Sequence, residues 1–127
     1  MDTFTFTVST GPVSVLFNRE LTVPLLPLSG GLYVVDTNTE AIIRNASGFN
    51  PNGPLVVIDA GEEHKTMANI ERILQCALET GLARDSLFVG FGGGVITDMT
   101  AFAASLYMRG AKVELVPTTP VSYTHLA

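Results

Sequence analysis

Four short, nearly continuous apolar runs constrain this chain more than any other feature: Leu32-Tyr33-Val34-Val35, Leu55-Val56-Val57-Ile58, Leu87-Phe88-Val89-Gly90-Phe91 and Val113-Glu114-Leu115-Val116. A strand with one wet face alternates apolar and polar residues. Runs that do not alternate need cover on both faces, the condition of parallel strands with helices packed above and below. Between the second and third runs, residues 67–80 carry Ile70, Ile73, Leu74, Ala77 and Leu78 at spacings of three and four, an apolar stripe on a helix. Thr66 is placed to cap its start, Gly81 to end it, and Leu82 to supply the hydrophobic contact of such a cap. A second helical stretch, residues 95–108, follows the third run and is closed by Gly110, and Pro117 stops the fourth run. The alternation of strand and helix predicts right-handed crossovers and a doubly wound, mostly parallel α/β sheet. Residues 3–8 and 13–17 instead alternate with period two around Gly11-Pro12, which predicts an N-terminal antiparallel strand pair along one edge.

Composition narrows the function classes. A chain of 127 residues is one domain with one core. With 46% hydrophobic and 15% charged residues it is neither disordered nor a solvated rod. The formal net charge of -5 repels a phosphate backbone, so nucleic acid is not an expected partner. Cys76 stands alone and there are two histidines, so neither an internal disulfide nor a zinc-finger spacing is available, and Cys76 reads as a small, partly buried hydrophobe. The amino terminus lacks the cationic and apolar regions of a secretory signal, which makes the cytoplasm the expected compartment. Gly30-Gly31, Gly53-Pro54 and Gly92-Gly93-Gly94 interrupt every apolar stretch well short of a membrane span.

In a doubly wound sheet ligands sit at the carboxyl ends of the strands, so those exits hold the candidate site. The first apolar run leaves into Asp36-Thr37-Asn38, a carboxylate and an amide suited either to ribose hydroxyls or to a local Asx turn. The second leaves through Gly61-Glu62-Glu63-His64-Lys65, where Lys65 and a helix N-terminus together suit a phosphate, or form a solvated loop whose acids favour the helix dipole. His64 alone is not a metal candidate. The third exit carries the strongest signal. Gly92-Gly93-Gly94 between an apolar strand and a helix lets backbone approach a pyrophosphate, although it is not G-x-G-x-x-G, because Val95 stands where the last glycine belongs; a purely structural turn is the alternative. Asp98 reads as an acid in the first turn of the following helix, Arg109 as a cation at its end, and Thr118-Thr119 as hydroxyls at the last exit.

Taken in order, Asp36-x-Asn38, Gly61-Glu62-x-x-Lys65-Thr66, Gly92-Gly93-Gly94-Val95-x-x-Asp98, Tyr107-Met108-Arg109-Gly110 and Val116-Pro117-Thr118-Thr119 resemble the amino-terminal, NAD-binding part of the 3-dehydroquinate synthases, members of the sugar phosphate cyclases. The resemblance implies a Rossmann-like NAD-binding domain over residues 1–119 and a parent that also has a C-terminal helical domain, absent from these 127 residues. It implies that Asp36 and Asn38 meet the adenosine side of NAD. Gly61, Glu62 and Lys65 would line the cofactor pocket, and Gly93, Gly94 and Val95 would cradle the pyrophosphate. Asp98, Thr118 and Thr119 would complete the pocket, and Arg109 would face the substrate phosphate. The family converts 3-deoxy-D-arabino-heptulosonate 7-phosphate to 3-dehydroquinate and phosphate in the shikimate pathway, with catalytic NAD and a divalent metal, zinc or cobalt. The metal ligands and most catalytic groups lie in the family beyond the last residue here, so this chain is expected to be inactive alone; a homodimeric parent is compatible with the resemblance.

Two departures stand out. Thr97 replaces the usual glycine of Gly-Gly-Gly-Val-x-Gly-Asp and is expected to add a side chain beside the phosphates, which keeps open a 2-deoxy-scyllo-inosose or valiolone-type synthase. Residues 120–127, including His125, do not resemble the family's continuation and read as unrelated sequence without a function. A stand-alone nucleotide-binding module and the iron-type alcohol or glycerol dehydrogenases are the remaining alternatives; Tyr107-Met108-Arg109-Gly110 and Pro117-Thr118-Thr119 speak against the latter.

Overall fold

The computed structural model describes residues 2–8, 11–17, 22–107 and 110–118, the first two segments as backbone pairing. The strands are β1 (Asp2–Val8), β2 (Gly11–Phe17), β3 (Gly31–Asp36), β4 (Leu55–Ile58), β5 (Leu87–Gly92) and β6 (Lys112–Pro117). Helix α1 (Glu40–Arg44) follows β3, a 3-10 turn (Glu62–His64) and α2 (Met67–Thr80) follow β4, and α3 (Gly94–Leu106) follows β5. They form one six-stranded sheet in the order β1-β2-β6-β5-β3-β4. The β1–β2 pair is antiparallel, with Phe4 opposite Val15 and Phe6 opposite Val13, and every other pairing is parallel. The edge hairpin and the parallel sheet are thus as the alternating and continuous apolar patterns require.

Each buried strand feeds two cores because successive side chains point to opposite faces. Leu32 and Val34 of β3, Phe88 of β5, and Val113 and Leu115 of β6 pack with Ile70, Ile73, Ile96, Met99 and Ala103 under α2 and α3. Tyr33, Val35, Leu87, Val89, Phe91 and Val116 pack on the other side with Ile43 of α1 and with Val23, Leu26 and Phe49 from the connecting loops. This two-sided cover is what the unbroken apolar runs demand. α1 escaped the sequence pattern because five residues are too short to show a helical period.

The ends of α2 are as expected. Thr66 Oγ1 accepts the Asn69 N–H at 3.2 Å, and Gly81 adopts φ 75° while the Leu82 N–H reaches the Ala77 carbonyl. Leu78 departs from the expected stripe. It is 58% exposed, because Ile70, Ile73 and Ala77 already fill the sheet-facing side and Leu78 falls on the rim. α3 begins at Gly94 and ends at Leu106; the expected last residue, Met108, lies outside the described residues. Tyr107 joins the two helix ends: its hydroxyl donates to the Leu82 carbonyl at the α2 cap while its ring packs against Phe88, centroids 5.5 Å apart. Cys76 is half-buried against the α2 and α3 core, and burial pushes its thiol pKa up, which keeps it protonated at neutral pH. Among the described residues no helix is long and apolar enough to cross a membrane.

One acidic residue of the sheet is half-buried. Glu114 lies on β6 opposite Val89, on the α1 side of the sheet, and burial raises its carboxyl pKa above the ordinary 4.5. A folded-state pKa above the unfolded one means that the folded state holds the proton more tightly, so stability falls as pH rises from 4.5 through the folded value and remains lower above it. Glu114→Gln is therefore expected to raise the melting temperature at pH 7 and to abolish most of that fall between pH 4 and 7. Thermal melts by circular dichroism across that range check it; a variant that melts lower at pH 7 refutes it.

Candidate functional site

The chain passes from β3 outward to β4 and then back across β3 to β5, so the direction of winding reverses between β3 and β5. At such a switch point the two strands part at their carboxyl ends and leave a crevice. The last β3–β5 register pair is Val34 with Gly90, after which Asp36–Thr39 lines one side and Gly92–Gly94 the other.

On the β5 side, Gly92 ends the strand, Gly93 is the N-cap and Gly94 the first helical residue of α3. The backbone conformation here does not demand glycine: Gly93 has φ -79°, and neither it nor Gly94 is among the glycines with positive φ. The cap has no side-chain partner, so the first-turn N–H groups of α3, which have no intrahelical acceptor, are left for whatever enters the crevice. Thr118 joins this wall through its N–H, 3.0 Å from the Gly92 carbonyl.

Thr97 is placed differently from expectation. It is 1% exposed and its hydroxyl lies 3.3 and 3.2 Å from the carbonyls of Gly93 and Gly94, the back-bonding typical of a threonine three or four residues into a helix. It therefore does not add a side chain to the crevice. Asp98 also corrects its reading: with α3 starting at Gly94 it falls past the first turn, and its carboxylate takes the Lys65 ammonium at 2.9 Å instead.

That ion pair joins the β4 exit to α3. Gly61, at φ 125°, adopts a backbone conformation that side chains rarely reach and starts the 3-10 turn, in which the His64 and Lys65 N–H groups bond back to Gly61 and Glu62. The Asn69 amide holds the turn by donating to the His64 carbonyl. Lys65 thereby points toward Asp98, with Glu62 on its other side at 4.0 Å. The hydrogen bond from Lys65 to Asp98 and then the Asp98 charge, with a smaller contribution from Glu62, raise the Lys65 pKa above its usual value, so the site holds a cation throughout the physiological range.

On the β3 side, Asp36 Oδ1 accepts the Asn38 N–H at 2.8 Å, the Thr39 N–H at 2.9 Å and lies 3.1 Å from the Thr39 hydroxyl, which is the Asx-turn alternative realised. Among the described residues these bonds all go to Oδ1, so one carboxylate oxygen builds the turn. Asn38 is exposed beside it. The Thr37 hydroxyl accepts the Ala60 N–H, and the Thr39 hydroxyl reaches the Phe91 carbonyl, stitching this turn to the β4 and β5 exits. Sequence reasoning missed both threonines; their hydroxyls flanking Asn38 at a strand exit were the available signal.

The structure thus brings Glu62, Lys65 and Asp98 together, sets Thr118 on Gly92, and ties Asp36 to Phe91 through Thr39. Thr119, Arg109 and residues 120–127 lie outside the described residues. Among the described residues no three His, Cys, Asp or Glu side chains come together to hold a metal ion.

The comparisons bear on the family and the fold. The profile of the 3-dehydroquinate synthase N-terminal family matches residues 55–125. The chain is 52% identical over 75 residues to the 3-dehydroquinate synthase of Gloeobacter violaceus, covering 59% of this chain and 20% of that protein. It is 40% identical over 114 residues to that of Pyrococcus furiosus, covering 83% and 33%. The chain therefore spans a fifth to a third of the length of these curated relatives. Among solved structures, 2-deoxy-scyllo-inosose synthase complexed with carbaglucose-6-phosphate, NAD+ and Co2+ shares the fold at a TM-score of 0.68 with 21% identity, covering 92% of this chain and 35% of that one. The 2-epi-5-epi-valiolone synthase from Streptomyces hygroscopicus subsp. jinggangensis 5008, with NAD+ and Zn2+ bound, does so at 0.64 with 28% identity, covering 83% and 32%. With the family profile matched from β4 through β6 and the glycine turn at the switch point, this chain belongs to the 3-dehydroquinate synthase family.

Proposed function

We propose that this chain supplies the NAD half-site of a 3-dehydroquinate synthase, the cytoplasmic shikimate-pathway enzyme that forms 3-dehydroquinate and phosphate from 3-deoxy-D-arabino-heptulosonate 7-phosphate. The observation that carries the reading is the turn after β5, where Gly93 and Gly94, which backbone conformation does not require, open an uncapped helix at the switch point, between a carboxylate and a lysine. A pyrophosphate needs close backbone approach and free N–H groups, and Gly93, Gly94 and Val95 offer both. Asp36 Oδ2 and Asn38 are placed to accept and donate to ribose hydroxyls. Lys65 brings positive charge toward the phosphates, held by Asp98 and Glu62 from the side. Gly61 shapes the turn that presents it and Thr118 closes the β6 side; by the family resemblance Thr119 would complete the pocket and Arg109 would meet the substrate phosphate. Bound NAD would accept and return a hydride; the residues of this chain bind and orient it. No step is assigned to a metal, since the described residues offer no ligand set for the Zn2+ or Co2+ that the solved cyclases hold.

Thr97 was the residue that opened the other cyclases as alternatives, and its hydroxyl is turned into its own helix, so it favours none of them. The test is isothermal titration of NAD into the 127-residue chain, with a phosphate-release assay on 3-deoxy-D-arabino-heptulosonate 7-phosphate in the presence of Zn2+ or Co2+. Saturable binding that Gly94→Val weakens, with no phosphate release, is the expected result. A folded chain that does not bind NAD refutes the cofactor reading, and metal-dependent phosphate release refutes the half-site reading.

A further inference from the structure

We propose that Thr39 is a positioning residue of the dinucleotide site, fixing the separation between the Asp36 carboxylate and the glycine turn; this rests on the NAD reading above. Thr39 stands at the N-cap of α1, where a threonine ordinarily bonds to its own helix, yet its side chain makes no cap. The hydroxyl faces into the sheet and is buried, the residue being 6% exposed. It accepts the Asp36 N–H at 3.0 Å and lies 3.1 Å from Asp36 Oδ1 and 3.2 Å from the Phe91 carbonyl. The oxygen accepts from the Asp36 N–H and the one hydroxyl proton can be given to the Phe91 carbonyl, so the two bonds reach opposite walls of the crevice. Register pairing between β3 and β5 ends at Val34 and Gly90, where the strands begin to part. Thr39 is the next tie beyond that point, joining the residue that presents a carboxylate oxygen to the residue just before Gly92.

A dinucleotide whose ribose meets Asp36 and whose pyrophosphate meets the glycine turn spans this gap, so the gap must have one width in the free protein if binding is not to be weakened by ordering it. A hydroxyl bonded to both walls sets that width. A valine keeps the shape and loses the tie, while a serine keeps the tie.

The experiment is NAD titration calorimetry on the 127-residue chain carrying Thr39→Val, Thr39→Ser, Asp36→Ala, or Asp36→Ala with Thr39→Val, each accompanied by a thermal melt. Thr39→Val is expected to raise Kd about tenfold, the loss of a buried hydrogen-bonded link, and Thr39→Ser to remain within about twofold of the parent. In the Asp36→Ala background Thr39→Val is expected to add little, because it acts through that carboxylate. An unchanged Kd for folded Thr39→Val, or an equal loss with and without Asp36, overturns the proposal. If Thr39→Val does not fold, Thr39→Cys, a weak donor of similar size, is held to the same criteria. Failure of the parent chain itself to bind NAD overturns the cofactor reading and this proposal with it, an outcome distinct from binding that ignores Thr39.

Discussion

Replacing Gly90 by valine is expected to cost this chain about 3 kcal/mol or more, with alanine at about 1–3 kcal/mol, as overpacking of a filled interior does. Gly90 lies in the middle of β5, paired on one side with Val34 of β3 and on the other with Leu115 of β6, so its backbone cannot retreat. A Cβ at this position would stand 2.7 Å from Thr100 Oγ1, 2.9 Å from Thr100 Cβ and 3.2 Å from Leu115 Cδ2. Thr100 cannot swing away, since it is fully buried and its hydroxyl donates to the Ile96 carbonyl at 2.7 Å. The cost is steric and not conformational, because Gly90 is not among the glycines with positive φ. Urea unfolding checks it: the midpoint should fall in the order parent, alanine, valine with little change in slope. Thr100→Ala should recover part of the loss caused by Gly90→Ala, since it removes the nearest atom and leaves the Cβ contact. A valine variant with the parent's midpoint would mean that α3 does not sit this close to β5.

The same pair of elements explains why the site departs from the usual glycine spacing. In G-x-G-x-x-G the last glycine lies in the helix and permits its close packing on the strand. Val95 occupies that position here. The close approach is supplied from the strand instead, by Gly90 beneath Thr100 and by Gly92, whose added Cβ would meet Ile96 at 3.1 Å. On the proposed reading Gly93 and Gly94 serve the ligand side. A glycine cluster that reads as one motif in the sequence is therefore in part a packing feature of β5 against α3.

The sheet was legible because two-sided burial leaves a mark on every residue of a strand, as in Leu32-Tyr33-Val34-Val35, and because Thr66 and Gly81 announce the ends of α2 in one residue each. The order of strands was not, since register between β2 and β6 or between β3 and β5 depends on contacts far apart in the chain. The candidate site is legible at its strand exits, and the family in the succession of motifs. The site's internal bonding is not. Asp98 was assigned to a helix dipole because the helix start was read one residue late, and Thr97 was set beside the phosphates because spacing does not reveal that a hydroxyl will turn back onto Gly93 and Gly94. The links made by Thr37 and Thr39 join exits that are 23 and 52 residues apart, which no local pattern can show.

Lys65→Met is expected to separate binding from stability. The Lys65–Asp98 pair looks strong at 2.9 Å, but the two side chains are 40% and 46% exposed. A pair so placed is screened by water and salt and contributes about 0–1 kcal/mol to folding, so the variant, which keeps most of the aliphatic stem, should melt within a few degrees of the parent. Binding is another matter. If a phosphate enters the crevice the ammonium gains a third anionic partner while Asp98 and Glu62 continue to hold it in place, and a charge-assisted hydrogen bond of that kind is worth about 1.5–3 kcal/mol. Loss of the ammonium should therefore raise the Kd for NAD at least about tenfold by calorimetry. The parent's affinity should also fall as salt is raised, and the variant's should fall less, because one of the screened charges is gone. Equal affinities would reduce Lys65 to half of a surface ion pair. A fall in melting temperature large enough to match the lost binding would instead make it a structural residue, and the phosphate end of the site would then rest on the backbone of the glycine turn alone.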